Sequence, residues 1–128
     1  FWMTFDGTMN SALFTEFLDL LIHDIGGKIF LIVDNVKYHT SKETSEWVKE
    51  HRDRIELFFL PSYSPDLNPD EWVWKNVKND HVAREVPQRP GHLFEIARRA
   101  LRRLHAAPAK VRAFFADPHL AYIRRAYA

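Results

Sequence analysis

Two short apolar runs, each rich in β-forming residues and separated by one helical stretch, narrow the folds open to this chain more than any other feature. The first run lies in KIFLIVDN, where Ile29 to Val33 carries no polar alternation and closes on Asp34. That continuity is the pattern of a central strand covered on both faces. In the stretch that follows, Thr40 and Glu43 form a capping box, and Thr44, Trp47 and Val48 supply the apolar stripe of a helix reaching about His51. Ile55 to Leu60 then reads as the second strand. A helix of this length between two strands of one sheet is a right-handed crossover, so the strands should be parallel neighbours. Asp34 and the turn at Leu60 and Pro61 would share the edge outside the carboxyl ends of the strands, where open α/β sheets bind ligands.

Around this unit the elements are mostly helical. Phe1 to Phe5 alternates bulky with polar residues and predicts a short strand closed by Asp6-Gly7. Leu13, Phe14, Phe17, Leu18, Leu21 and Ile22 recur at helical spacing, with Asn10 or Ser11 as cap and Gly26-Gly27 as stop. Further on, Asn68 caps a helix with Pro69 at its first position and Trp72, Val73, Trp74 and Val77 along it, Lys75 and Lys78 facing outward. Leu93, Ile96, Ala97, Ala100, Leu101 and Leu104 form the stripe of another helix, and a shorter one is expected over 109–116. The final HLAYIRRAYA carries no strong pattern, and there is no internal repeat.

A chain of 128 residues is one domain's worth of sequence. No apolar run approaches the ~20 residues a membrane-spanning helix needs. The absence of cysteine removes disulfides and thiolate zinc sites and fits a reducing cytosol. The start, FWMTFDG, has no signal-peptide pattern and is expected to continue something longer. The net charge of +1 conceals an asymmetry: residues 1–83 sum to −6 and residues 84–128 to +7. The acidic part suits a site that gathers cations and the basic helical tail suits a polyanion, although a solvated helix face accounts for the tail equally well.

The acids that carry chemistry are Asp34 and, within LPSYSPDLNPDEW, Glu71 behind three stiffening prolines, Pro61, Pro65 and Pro69. Two carboxylates on such different elements suggest a divalent-metal site. Phosphodiester cleavage and strand transfer use two Mg²⁺ ions roughly 4 Å apart to activate a nucleophile and stabilise a leaving alkoxide, and Mg²⁺ needs few protein ligands. The alternatives are plain: Asp34 as an acid ending a strand and pairing with a lysine, and Glu71 as the returning partner of a capping box, three residues after Asn68.

LIVDN, a His four residues after Asn35, and LPSYSPDLNPDEWVWKNVK together resemble the catalytic core of mariner-like DDE transposases, especially the bacterial insertion-sequence branch. The resemblance implies an α/β ribonuclease H-like fold, a mixed sheet flanked by helices, and an Asp, Asp, Glu triad holding two Mg²⁺ or Mn²⁺ ions. Asp34 would be the second acid and Glu71 the third, with 36 residues between them. The first Asp, and the N-terminal strand or strands that carry it, would lie upstream of Phe1, since Asp6 sits in a turn; the chain alone is then expected to be inactive. Asn35, His39 and Asp70 are candidate supports of the site, and Arg98, Arg99, Arg102 and Arg103 candidate phosphate contacts. Trp72 and Trp74 read as packing residues. The implied partners are transposon terminal inverted repeats and target DNA, with a homodimer possible, in the cytoplasm of a bacterium beside its nucleoid. The alternative is a non-catalytic nucleic-acid-binding or assembly module that retains the fold.

Overall fold

A computed structural model describes residues 1–126, so the last two residues of the basic tail lie outside the described residues. The chain divides into two compact units, one made of Phe1 with Met3–Ser64 and the other of Trp2 with the residues from Pro65 on. The division falls inside the proline-rich stretch, well before the change in charge at residue 84.

In the first unit, helix α1 spans Ser11–Asp24, and the Asn10 side chain accepts a hydrogen bond from the Leu13 N–H at 2.9 Å. Its Phe14, Leu18, Leu21 and Ile22 are buried, as the spacing predicts. Gly27, at φ +83°, turns the chain into strand β1, Ile29–Val33; that left-handed conformation is open to glycine at little cost. Helices α2, Lys37–Thr40, and α3, Lys42–Glu50, lead to strand β2, Ile55–Phe59. The strands pair in parallel from Ile29 with Ile55 to Val33 with Phe59, as the crossover argument requires.

Four expectations give way. Phe1 to Phe5 is not a strand, and among the described residues the sheet is this parallel pair rather than a mixed sheet. Nor is β1 covered on both faces. Ile29, Leu31, Val33, Ile55 and Leu57 face the core with Phe14 and Leu18, but Phe30 and Phe58, with ring centroids 6.1 Å apart, are 58% and 46% exposed. Finally, the cap of α3 is Ser41, whose Oγ accepts from the Thr44 N–H at 3.2 Å. Thr40 is already the last residue of α2, its hydroxyl donating back to the Val36 carbonyl, so it cannot cap the next helix. Buried Thr44 then donates to the Tyr38 carbonyl at 2.6 Å and ties the two helices together.

Arg54 closes the far end of the unit. Its guanidinium donates to the carbonyls of Ile22, Ile25 and Gly27 at 2.6, 3.0 and 3.2 Å, satisfying groups that the end of α1 leaves without helical partners.

The second unit begins with a 3-10 turn, Pro65–Leu67, followed by helix α4, Asp70–Lys75, which runs on through a π-helical turn, Asn76–His81, and a 3-10 turn, Val82–Arg84. Helix α5 spans His92–His105, α6 Pro108–Phe114 and α7 Ala121–Ala126. Val77, Ile96, Ala100, Leu104 and Leu120 are its buried apolar side chains. The predicted stripe of α5 is therefore present, with Leu93 left at its exposed margin. Trp72 packs in parallel on Phe114 with centroids 6.4 Å apart, whereas Trp74 stands exposed and is not a packing residue.

Candidate active site

Asp34 follows directly on the last paired residue of β1, and the Leu60 N–H reaches back to the Val33 carbonyl at 2.8 Å, so the acid and the Leu60–Pro61 turn share the carboxyl edge of the sheet. A half-exposed carboxylate (48%) is held there from one side. His39 Nδ1 donates to the Asp34 carbonyl oxygen at 2.8 Å and lies 2.9 Å from Asp34 Oδ1. Both neighbours are acceptors, so this nitrogen carries the proton.

The imidazole has little freedom. It is 12% exposed, with the Phe14 ring 4.3 Å away and the Tyr38 ring edge-on at 4.5 Å. Oδ2 of Asp34 has no hydrogen-bond or ion-pair partner among the described residues, and the strand-end pairing with a lysine is not formed. Burial, and then the charge of Asp34, push the Tyr38 phenol above its ordinary value. Asn35 is exposed and its amide donates to Ser62 Oγ at 3.2 Å, joining the segment after β1 to the segment after β2. Beyond Ser62 the chain passes through Tyr63, fully exposed at φ +56°, a conformation uncommon for a residue with a Cβ. Alternation and propensity carry no signal for that feature.

Glu71 belongs to the second unit, in the first turn of α4. The helix starts at Asp70 with Pro69 at its N-cap position, one residue later than the spacing predicts, and Asn68 Oδ1 accepts from the Asp70 N–H at 3.1 Å. The returning half of a capping box is absent for a simple reason: the Asn68 N–H is already bonded to the Pro65 carbonyl at 2.9 Å. Glu71 is therefore an exposed carboxylate without a hydrogen-bond or ion-pair partner among the described residues. It lines an open cleft with Asp66, Asn68, Lys75, Asp117 and His119. Asp70, its neighbour, is exposed and does not line that cleft. Asp117 was not singled out by spacing. Hydrogen bonds from the His119 backbone and side chain hold its carboxyl below the ordinary range despite desolvation.

The four arginines of α5 are not equivalent. Arg99 is bonded to Glu85 at 2.7 Å. That hydrogen bond, aided by His92 and opposed by desolvation, lowers the Glu85 carboxyl. Arg98 lies over the Phe94 ring at 5.7 Å with its Nε buried. Arg102 is exposed, and Arg103 Nη1 lies 3.5 Å from His81 Nδ1.

Among the described residues no group of three or more His, Asp or Glu side chains is placed to hold a metal ion. Asp34 Oδ2 and the Glu71 carboxylate are nevertheless unengaged hard oxygen donors, the kind Mg²⁺ and Mn²⁺ take, so each suits such an ion in its chemistry.

Residues 1–90 match the family described as DDE superfamily endonuclease. The chain belongs to that family. Among relatives of this DDE endonuclease chain, the transposase of the transposable element Tcb2 of Caenorhabditis briggsae is 47% identical over 49 residues, 38% of this chain and 17% of that protein. An uncharacterized 39 kDa protein of insertion element IS630 from Shigella sonnei is 38% identical over 68 residues, 52% of this chain and 20% of that protein. The transposase of the Caenorhabditis briggsae element Tcb1 is 31% identical over 77 residues, 56% of this chain and 28% of that protein. This DDE endonuclease chain thus spans well under a third of the length of each relative. No helix among its described residues is long and apolar enough to cross a membrane.

Proposed function

We propose that this chain is part of the catalytic domain of a DNA transposase with a ribonuclease H-like fold, whose work is divalent-metal-dependent cleavage of transposon ends and their joining to target DNA. The observation that carries the reading is Asp34: a half-exposed acid at the carboxyl edge of a parallel strand pair, clamped at one oxygen by His39 and open at the other. Membership of the DDE endonuclease family supports it, and so do the transposase names of relatives.

Asp34 and Glu71 would be the residues that hold the metal. When bound, Mg²⁺ or Mn²⁺ supplies charge stabilisation at the phosphate and an acidified water. His39 is a positioning residue. By holding Asp34 Oδ1 and the carbonyl of the same residue, it restricts the rotamer and leaves Oδ2 without a partner among the described residues. Asn35, bonded to Ser62, keeps the two strand-end segments in step. Asp70 stands next to Glu71 as a secondary acid. The substrates are duplexes ending in terminal inverted repeats and the target DNA, engaged by two copies on paired ends.

The test is cleavage of a terminal-repeat duplex by the protein that carries this chain, with Mg²⁺ or Mn²⁺ and with a chelator in their place. Cleavage that survives chelation ends the reading. The same assay weighs the second reading, a nucleic-acid-binding or assembly module without catalysis. Duplex binding with no cleavage under any metal would select it.

For His39, the expected outcome of His39→Ala is a loss of about 10- to 100-fold in Mn²⁺ affinity, the usual effect of removing a group that orients a metal ligand. His39→Gln, which keeps a donor and most of the volume beside Phe14, should recover much of it. Mn²⁺ titration followed by paramagnetic resonance measures both. Equal affinity in His39→Ala and wild type at equal folded fraction would remove the positioning role.

A further inference from the structure

We infer that a cleft between the π-helical turn, α5 and α6 is a phosphate-binding site for the nucleic-acid backbone, formed by Arg84, Arg103 and Lys110 with His81 at its wall. The inference rests on the reading that this chain acts on DNA. All of these residues lie in the second unit, and the lining is completed by Asp80 and Glu85.

The charge balance of the cleft is what needs explaining. Three permanent cations arrive from three elements, the 3-10 turn (Arg84), α5 (Arg103) and α6 (Lys110). Like charges brought to one concavity repel, and a cleft so lined focuses its field on an ion of opposite sign. The two acids do not balance them. Glu85 is taken by Arg99 at 2.7 Å and His92 at 3.3 Å, both outside the lining. Asp80 accepts a hydrogen bond from buried Asn76 and only approaches Lys110, at 3.9 Å. Neither Arg84 nor Arg103 has a carboxylate partner among the described residues. At the wall, desolvation first and then the charge of Arg103 push the His81 imidazole below its ordinary value; Asp80 pulls the other way, and Lys110 and Arg84 each add a smaller push downward.

The lining also selects the class of ligand. Every side chain on it is charged or polar, so an acidic peptide would find nothing to receive its apolar groups. A phosphodiester needs only charge and donors, which a pair of guanidinium groups supplies as forks and an ammonium as a point charge. Arg103 is thus separated from Arg98 and Arg99, which face Phe94 and Glu85, while Arg84 and Lys110 join it although no helix periodicity connects them.

The experiment is fluorescence anisotropy of a labelled duplex with the full chain across a salt series. Each phosphate contact contributes about 0.9 to the slope of log K against log salt. Arg84→Ala/Arg103→Ala should lower the slope by nearly two and weaken binding roughly tenfold per charge at about 0.1 M salt. Arg52→Ala, which removes an exposed charge from the first unit, should leave the slope in place. Inorganic phosphate should move the His81 ring resonances in the wild type and not in the double variant, which separates a bound phosphate group from diffuse attraction. If wild type binds and the double variant matches Arg52→Ala, the cleft is wrong while the functional reading stands. Displacement by polyglutamate at concentrations where a phosphodiester competitor fails would also overturn it, in favour of an acidic protein partner. If wild type binds no duplex at all, both fall together.

Discussion

Asp34→Asn is expected to lower metal-dependent cleavage by the protein carrying this chain about a thousand-fold, and Glu71→Gln by a similar factor. Each change keeps the shape of the side chain and removes the negative charge that a hard cation takes up. Transition-state stabilisation by a bound metal amounts to several kcal/mol, and about 4 kcal/mol corresponds to three decades in rate. The two positions also differ in a useful way. Asp34 is a hydrogen-bond acceptor for His39 through its backbone as well as its carboxylate, so the Asn variant keeps the backbone half of the clamp and should fold normally. Glu71 makes no such contact, so its Gln variant should match wild type in every property except metal response. Single-turnover cleavage of a terminal-repeat duplex with Mn²⁺ measures both, and undiminished cleavage by either variant removes that residue from the site.

Arg54→Ala is expected to destabilise the first unit by about 3 kcal/mol, a large share of what holds a domain of this size together. The guanidinium donates three charge-assisted hydrogen bonds to carbonyls at and beyond the end of α1. Bonds to charged groups contribute roughly 1.5 to 3 kcal/mol each when their acceptors are otherwise unpaired, and less where water can replace them. The Ile22 carbonyl is partly buried while the other two are exposed, which keeps the total near the value given. Arg54→Lys should recover only a minor part, since a single ammonium cannot span acceptors laid out for a planar fork. Urea denaturation of the full chain tests this; a midpoint unchanged in Arg54→Ala would show that water satisfies those carbonyls equally well. The residue matters to the site because its own carbonyl receives the Ile29 N–H at 2.8 Å, at the start of the strand that ends at Asp34.

Much of this was legible in residue order because it depends on near neighbours. The helical spacing from Leu13 to Ile22 specifies α1, and Asn10 caps it as its side chain predicts. Two β-rich runs bridged by helical residues leave little choice but parallel pairing, and the register carries Asp34 to the Leu60–Pro61 turn. The failures share a cause. Thr40 and Ser41 are equal as caps by type, and only the hydrogen bond from Thr40 back into α2 decides between them. Glu71 had the spacing of a capping box, but a turn begun at Pro65 had already taken the N–H it would need. A continuous apolar run reads as covered on both faces, yet Phe30 and Phe58 pack on each other with one side open.

Order alone determined the parallel strand pair, the acid at its edge, the helices and the basic character of the later chain, because dihedral preference, hydrophobic period and charge are properties of adjacent residues. Tertiary structure decided which charges remain available. Glu85 silences Arg99, His39 claims one oxygen of Asp34, and Arg84, Arg103 and Lys110 meet around a single cleft. Such partnerships depend on side-chain placement that helix and strand periods leave open, and their strength falls with distance, so folding alone brings them into being.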